Sequence, residues 1–301
     1  MAAGGSTKVV VIALFANAGI GVAKLVAAIV TGSGSMMAEA VHSFADSGNQ
    51  GLLLLGGHRA ARPADEKHPL GYGREAYFWA LLVACLLFVM GGAYSLYEGI
   101  HKLQSTEPLK NGGRAIGVLS FGILLEGYSL RAAWLEVDQA RGKRGIMRWA
   151  RTTGNVNLLV VFFEDIAAML GLVLALLAIA ISLMTENPFF DAIGSCVIGV
   201  LLLLIATFIG AQVRRLIIGL SANQDLVDGI RDLWTSKGYE VLGLHAIWDG
   251  PERVLVTCKV RPPDVTEDVA TMMRALNDME KRVRTTYPQV QFHFVEPDFR
   301  A

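Results

Sequence analysis

The sequence has 301 residues, 53% of them hydrophobic and only 18% charged, with a formal net charge of zero and a mean hydropathy of +0.44. An ordinary soluble domain is about 25% charged, so a wholly soluble globule is excluded, and the balanced charge removes any global attraction to nucleic acid. Three scattered cysteines, Cys85, Cys196 and Cys258, imply no disulfide framework.

Apolar runs of roughly 20 residues, enough to cross the ~30 Å hydrocarbon layer as helices, recur as far as Arg214. They predict spans at 8–30, 35–57, 75–97, 114–135, 155–183 and 190–213. Lys8 leads straight into the first run with no basic region or clear cleavage site, which reads as a retained helix and not a removable signal. Turn chemistry separates the spans: Thr31-Gly32-Ser33-Gly34-Ser35 after the first and Asn187-Pro188 before the sixth. Lys and Arg collect after the second span (Arg59, Arg62, Lys67, Arg74), after the fourth (Arg141, Lys143, Arg144, Arg148, Arg151) and after the sixth (Arg214, Arg215). The positive-inside rule then puts both termini in the cytoplasm, and Lys102, Lys110 and Arg114 alone blur the pattern.

After Gly219 the texture becomes that of a soluble domain. A helix at 224–237, strands at 241–248 and 254–260 around the hairpin signal Asp249-Gly250-Pro251, a helix at 269–283 with Val269, Met272, Met273, Leu276, Met279 and Val283 on one stripe, and a strand at 290–295 give an αββαβ order. The expected architecture is a six-helix membrane bundle over residues 1–219 and a cytoplasmic α+β domain over 220–301, ferredoxin-like, with helices on one sheet face.

Ionisable groups inside a membrane core are costly and are functional candidates. In the second span His42 and Asp46 are four residues apart, hence on one helical face. The pair can hold a divalent ion or close an internal hydrogen bond; Asn49 continues its face and Glu39 precedes it. The fifth span carries Glu164-Asp165 between strongly apolar stretches. Like charges side by side in a low dielectric raise each other's pKa unless a cation neutralises them. Asp165 with His42 and Asp46 makes three N/O ligands; Glu164 is either a fourth or a carboxylate facing a cavity or proton path. Such a set suits zinc or a related first-row ion better than calcium or magnesium. Glu126 is read as a hydrogen-bonding group in the bundle and Asp191 as an ordinary N-terminal helix charge.

His42-x-x-x-Asp46, the buried acidic site of the fifth span, six spans, an αββαβ tail and the loop Asp65-Glu66-Lys67-His68-Pro69-Leu70-Gly71-Tyr72-Gly73 together resemble the cation diffusion facilitators, over nearly the whole chain. The resemblance implies a homodimeric metal/proton antiporter with a metal-responsive tail. Where many members have a histidine in the fifth span this chain has Val161, and its Glu164-Asp165 pair is similar to the ZnT9-like subgroup. The resemblance also implies a loop site at Asp65 and His68, with Tyr72 where a second histidine would stand, and a regulatory tail site at His245, Cys258 and His293.

No phosphate-cradling or dinucleotide motif is present in the sequence. The expected function is export of Zn2+ from the cytoplasm, with Mn2+, Fe2+, Co2+ and Ni2+ as alternative cargo and with protons, lipid and a second copy of the chain as partners. The expected setting is the bacterial inner (plasma) membrane. A non-transporting metal-sensing scaffold and a membrane metallohydrolase are the other classes considered; no catalytic residue is expected.

Overall fold

The computed structural model describes residues 3–31, 34–104, 112–264, 266 and 268–298; within these the side chains of 3–6, 24, 27, 28, 30, 31, 34–42 and 112–115 lie outside the description. Helices α1 (Ala3–Thr31) and α2 (Gly34–Ala60) pack along each other. Helix α3 (Glu75–Leu86) passes through a π-helical segment (Leu87–Ala93) into α4 (Tyr94–Gln104) as one continuous rod. Then follow α5 (Gly112–Arg141), the short α6 (Ile146–Thr152), α7 (Val156–Thr185) and α8 (Phe189–Ile218). Among the described residues four helices are long and apolar enough to cross a membrane: Glu75–Gln104, Ile116–Arg141, Val156–Thr185 and Phe189–Ile218. The expected first and second spans are helices of 29 and 27 residues, α1 with a shorter apolar stretch and α2 diluted by its polar central turns.

The bundle surface is apolar, the reverse of a soluble fold, and its interior encloses a polar cluster. Leu124, Leu177, Met184 and Leu204 point outward, while Asn17, Asn49, Gln50, Glu126, Ser129, Glu164 and Asp165 are buried. That inversion fits lipid as the surrounding solvent and identifies an integral membrane protein.

Local chemistry fixes the helix ends. Asn155 caps α7 by accepting from the Leu158 N–H at 3.2 Å, and Glu186 ends that helix at φ 54° just before Asn187-Pro188. Gly219 closes α8 at φ 117°, a conformation that glycine adopts without a Cβ penalty. Helices overrun the predicted spans because they continue into charged turns beyond the apolar stretch, to Gln104 and to Arg141. Helix α6 was not expected: its seven residues are too few to carry a periodic signal. Trp149 holds it, its ring lying edge-on to Phe162 at 6.2 Å.

The tail has the expected order: α9 (Gln224–Thr235), β1 (Glu240–Gly250), β2 (Arg253–Arg261), α10 (Val269–Thr286) and β3 (Val290–Pro297). The sheet order is β1-β2-β3, with β1 antiparallel and β3 parallel to β2. Leu226, Ile230 and Trp234 of α9 and Met272, Leu276, Met279 and Val283 of α10 belong to the same core as Ala246, Val254, Val256 and Val260 of the sheet. Val269 and Met273 are exposed, so the apolar stripe of α10 is narrower than predicted.

The β1–β2 hairpin docks on the membrane helices. Trp248 donates from Nε1 to the Thr152 carbonyl at 3.1 Å, Asn155 Nδ2 donates to Glu252 at 3.2 Å, and Arg74 pairs with the buried Asp249 at 3.1 Å.

Candidate functional site

Helix α2 turns Asp46 and Asn49 into a cavity of about 70 Å³, where they meet Glu126 from α5, Glu164 from α7 and Asn17 from α1. Apolar side chains complete the wall: Leu86, Leu87 and Met90 around the π-helical segment, and Leu202 and Ile205 of α8. The cavity has room for a dehydrated ion with a few waters. Three carboxylates from three helices in an apolar surround make it a place where a cation is stabilised and an anion is not.

The two adjacent acids of α7 point different ways, as the helical turn of about 100° per residue requires. Glu164 faces the cavity and both its oxygens are held: Asn49 Nδ2 donates to Oε1 at 3.1 Å and Gln50 Nε2 to Oε2 at 3.2 Å. Asn17 Nδ2 in turn donates to Gln50 Oε1 at 3.4 Å. Asp165 is almost fully buried against α5, where it accepts from Ser129 Oγ at 2.9 Å. Asp46, Asp165 and Glu126 are the electrostatic neighbours of Glu164.

Asp46, Asn49 and Glu164 are therefore brought together at the cavity, and Asp165 adjoins Glu164 and Asp46 without lining it. The side chains of His42 and Glu39 lie outside the described residues. Among the described residues no three His, Cys, Asp or Glu groups stand within common ligating reach. Asn17, Gln50 and Ser129 were missed and Glu126 was underrated. Their signal is a polar group in an apolar run, which is weaker for a neutral amide or hydroxyl than for a charge. Asp191 pairs with Lys102 at 3.3 Å between α8 and α4, in addition to standing at its helix N-terminus.

In the loop before α3, Asp65 and His68 do meet, at 3.5 Å and in the open. Tyr72 donates its hydroxyl to Asp65 at 2.7 Å. That hydrogen bond, with the His68 backbone N–H, holds the Asp65 carboxyl below the usual range. Tyr72 thus takes the third position as a hydrogen-bond donor.

The tail set does not form within one chain. Cys258 pairs with Leu244 and Val295, and His293 pairs with Val256, which places both on the helix-covered face. His245 pairs with Thr257 and is exposed on the other face, because successive strand residues alternate sides. Burial pushes the Cys258 thiol up to about 12 and the His293 imidazole down to about 4.

A bundle of apolar helices that surrounds a carboxylate-lined cavity defines a membrane protein built to admit a cation. Residues 10–218 match the family described as the cation efflux transmembrane domain, and the chain belongs to that family, the cation diffusion facilitators. Its relatives include animal proteins named proton-coupled zinc antiporter SLC30A9, mitochondrial. The Xenopus laevis protein is 34% identical over 234 residues, 77% of this chain and 42% of that protein. The Homo sapiens protein is 30% identical over 231 residues, 76% and 41%. Metal tolerance protein C4 of Arabidopsis thaliana is 35% identical over 186 residues, 61% and 41%. The chain is thus aligned to about two-fifths of the length of these relatives. They agree with the subgroup suggested by Glu164-Asp165.

Proposed function

We propose that this chain is a secondary transporter, not an enzyme, that carries Zn2+ out of the cytoplasm in exchange for protons. The observation that carries the reading is the inward-facing set Asp46, Glu126 and Glu164 around a cavity of about 70 Å³ among membrane helices. The names of the animal relatives, proton-coupled zinc antiporters, support it. The cargo site is His42, Asp46, Glu164 and Asp165, with Asn49 adjoining. Mn2+, Fe2+, Co2+ and Ni2+ compete, since raw affinity does not select among first-row ions with such ligands. Ligands must shed protons before they bind a metal, so loading from one side releases protons there and protons arriving from the other side displace the ion.

The same reading takes α1 and α2 as spans, making six, with residues 1–219 in the membrane unit and 220–301 as a ferredoxin-like tail. Both termini then lie on the cytoplasmic side of an energised membrane, and two copies pair as a homodimer. The exposed Asp65–His68 pair is a weaker, secondary metal contact.

Proteoliposomes with an entrapped pH dye test the exchange. A Zn2+ gradient should drive opposite proton movement, and Asp46→Ala and Asp165→Ala should each abolish both fluxes in a folded protein. Zinc flux that persists in either variant, or that ignores an imposed pH gradient, rejects the reading.

A further inference from the structure

Two buried amides near Glu164, Asn17 and Gln50, belong to no ligand set. Gln50 on α2 is completely buried and Asn17 on α1 is nearly so, in a region where an amide without hydrogen bonds is costly. They form a directional chain. Asn17 donates to Gln50, and Gln50 donates to one oxygen of Glu164 while Asn49 donates to the other. Each carboxylate oxygen has two lone-pair directions. The amides engage one on each oxygen and leave acceptor capacity on the side of the cavity that Glu164 lines. Ligating carboxylates are commonly fixed in this way by hydrogen bonds from neighbouring groups.

We infer that Gln50, braced by Asn17, is a positioning residue that holds Glu164 in the orientation in which it binds the metal. The inference rests on the reading of Glu164 as a ligand. It also gives α1 a role at the site, because Asn17 joins it through Gln50 of α2 to Glu164 of α7.

Equilibrium dialysis of Zn2+ against the purified full-length protein in detergent tests it. Glu164→Gln should weaken binding, and Gln50→Met, which keeps length and helix propensity but removes the amide, should weaken it about 10–100-fold. Adding Gln50→Met to Glu164→Gln should cost nothing more, since the amide acts only through the carboxylate. Asn17→Leu should show a smaller loss that also vanishes in the Glu164→Gln background, and it serves if Gln50→Met does not fold. Unchanged affinity in Glu164→Gln overturns the ligand reading and this inference with it. Weakened binding in Glu164→Gln, with Gln50→Met and Asn17→Leu either silent or fully additive, overturns this inference alone and leaves the amides as packing groups.

Discussion

Adjacent acids on one helix cannot share a direction, and the neighbours of α7 use both. Glu164 is received by amides from α2 and faces the cavity, whereas Asp165 is received by Ser129 of α5. Glu126 reaches the same cavity from α5 and stands near Glu164, so it contributes field to any ion held there even without touching it. Glu126→Gln should therefore weaken Zn2+ binding by about tenfold, or ~1.4 kcal/mol, with the fold intact. Dialysis at unchanged affinity would place Glu126 outside the reach of the bound ion. The charges of this site were legible because a carboxylate is too costly in an apolar run to persist there without a task. Their directions were not, since a sequence fixes the angle between neighbours but not the rotation of the helix. Asn17 and Gln50 escaped because a neutral amide raises no comparable flag.

In the tail, the strands were legible as elements but not in phase. Strict alternation from the buried Val290 would turn Phe292 and Phe294 inward with it. The register slips between the pairs Val254–Val290 and Leu255–Phe292, so beyond Gln291 the faces exchange. His293 turns into the core, edge-on to Trp234 at 5.8 Å, and Phe294 turns out. The buried imidazole has a thermodynamic consequence. Burial lowers its pKa from 6.5 to about 4, so between those values the unfolded chain binds more protons than the folded one. Stability is complete above pH 6.5 and falls as pH drops toward 4, by up to about 3 kcal/mol, with no further loss from this group below that. Thermal unfolding followed through tryptophan emission should show this acid loss in the wild-type chain and a shallower one in His293→Leu. Parallel pH profiles for the two proteins would contradict it.

Across the whole molecule, the hairpin tip joins the tail to the helix that carries Glu164. Trp248 packs against Gly154, where a Cβ would lie 2.3 Å from its ring, and donates to Thr152. Asn155, which caps α7 with its oxygen, uses its nitrogen to hold Glu252. On the other side Asp249 is shared between Arg74 at 3.1 Å and Arg253 at 3.8 Å, while Gly73 lies so close to the Asp249 backbone that any side chain there would collide with it. The start of α7 and the loop before α3 are thus clamped by one turn of the tail. Glu164 is nine residues along α7 from Asn155, about 13 Å on a helix, so movement of the clamp acts on the helix that presents the carboxylate. Trp248→Ala removes a buried indole, a change that costs about 3–5 kcal/mol in a well-packed core. It should release the hairpin, speed proteolysis in the 219–223 segment between α8 and α9 and raise amide exchange at Val156–Phe162. Phe294→Ala, on the open face of the same sheet, should do none of these. Equal proteolysis and exchange in the two variants would mean that the tail is held by contacts other than this hairpin.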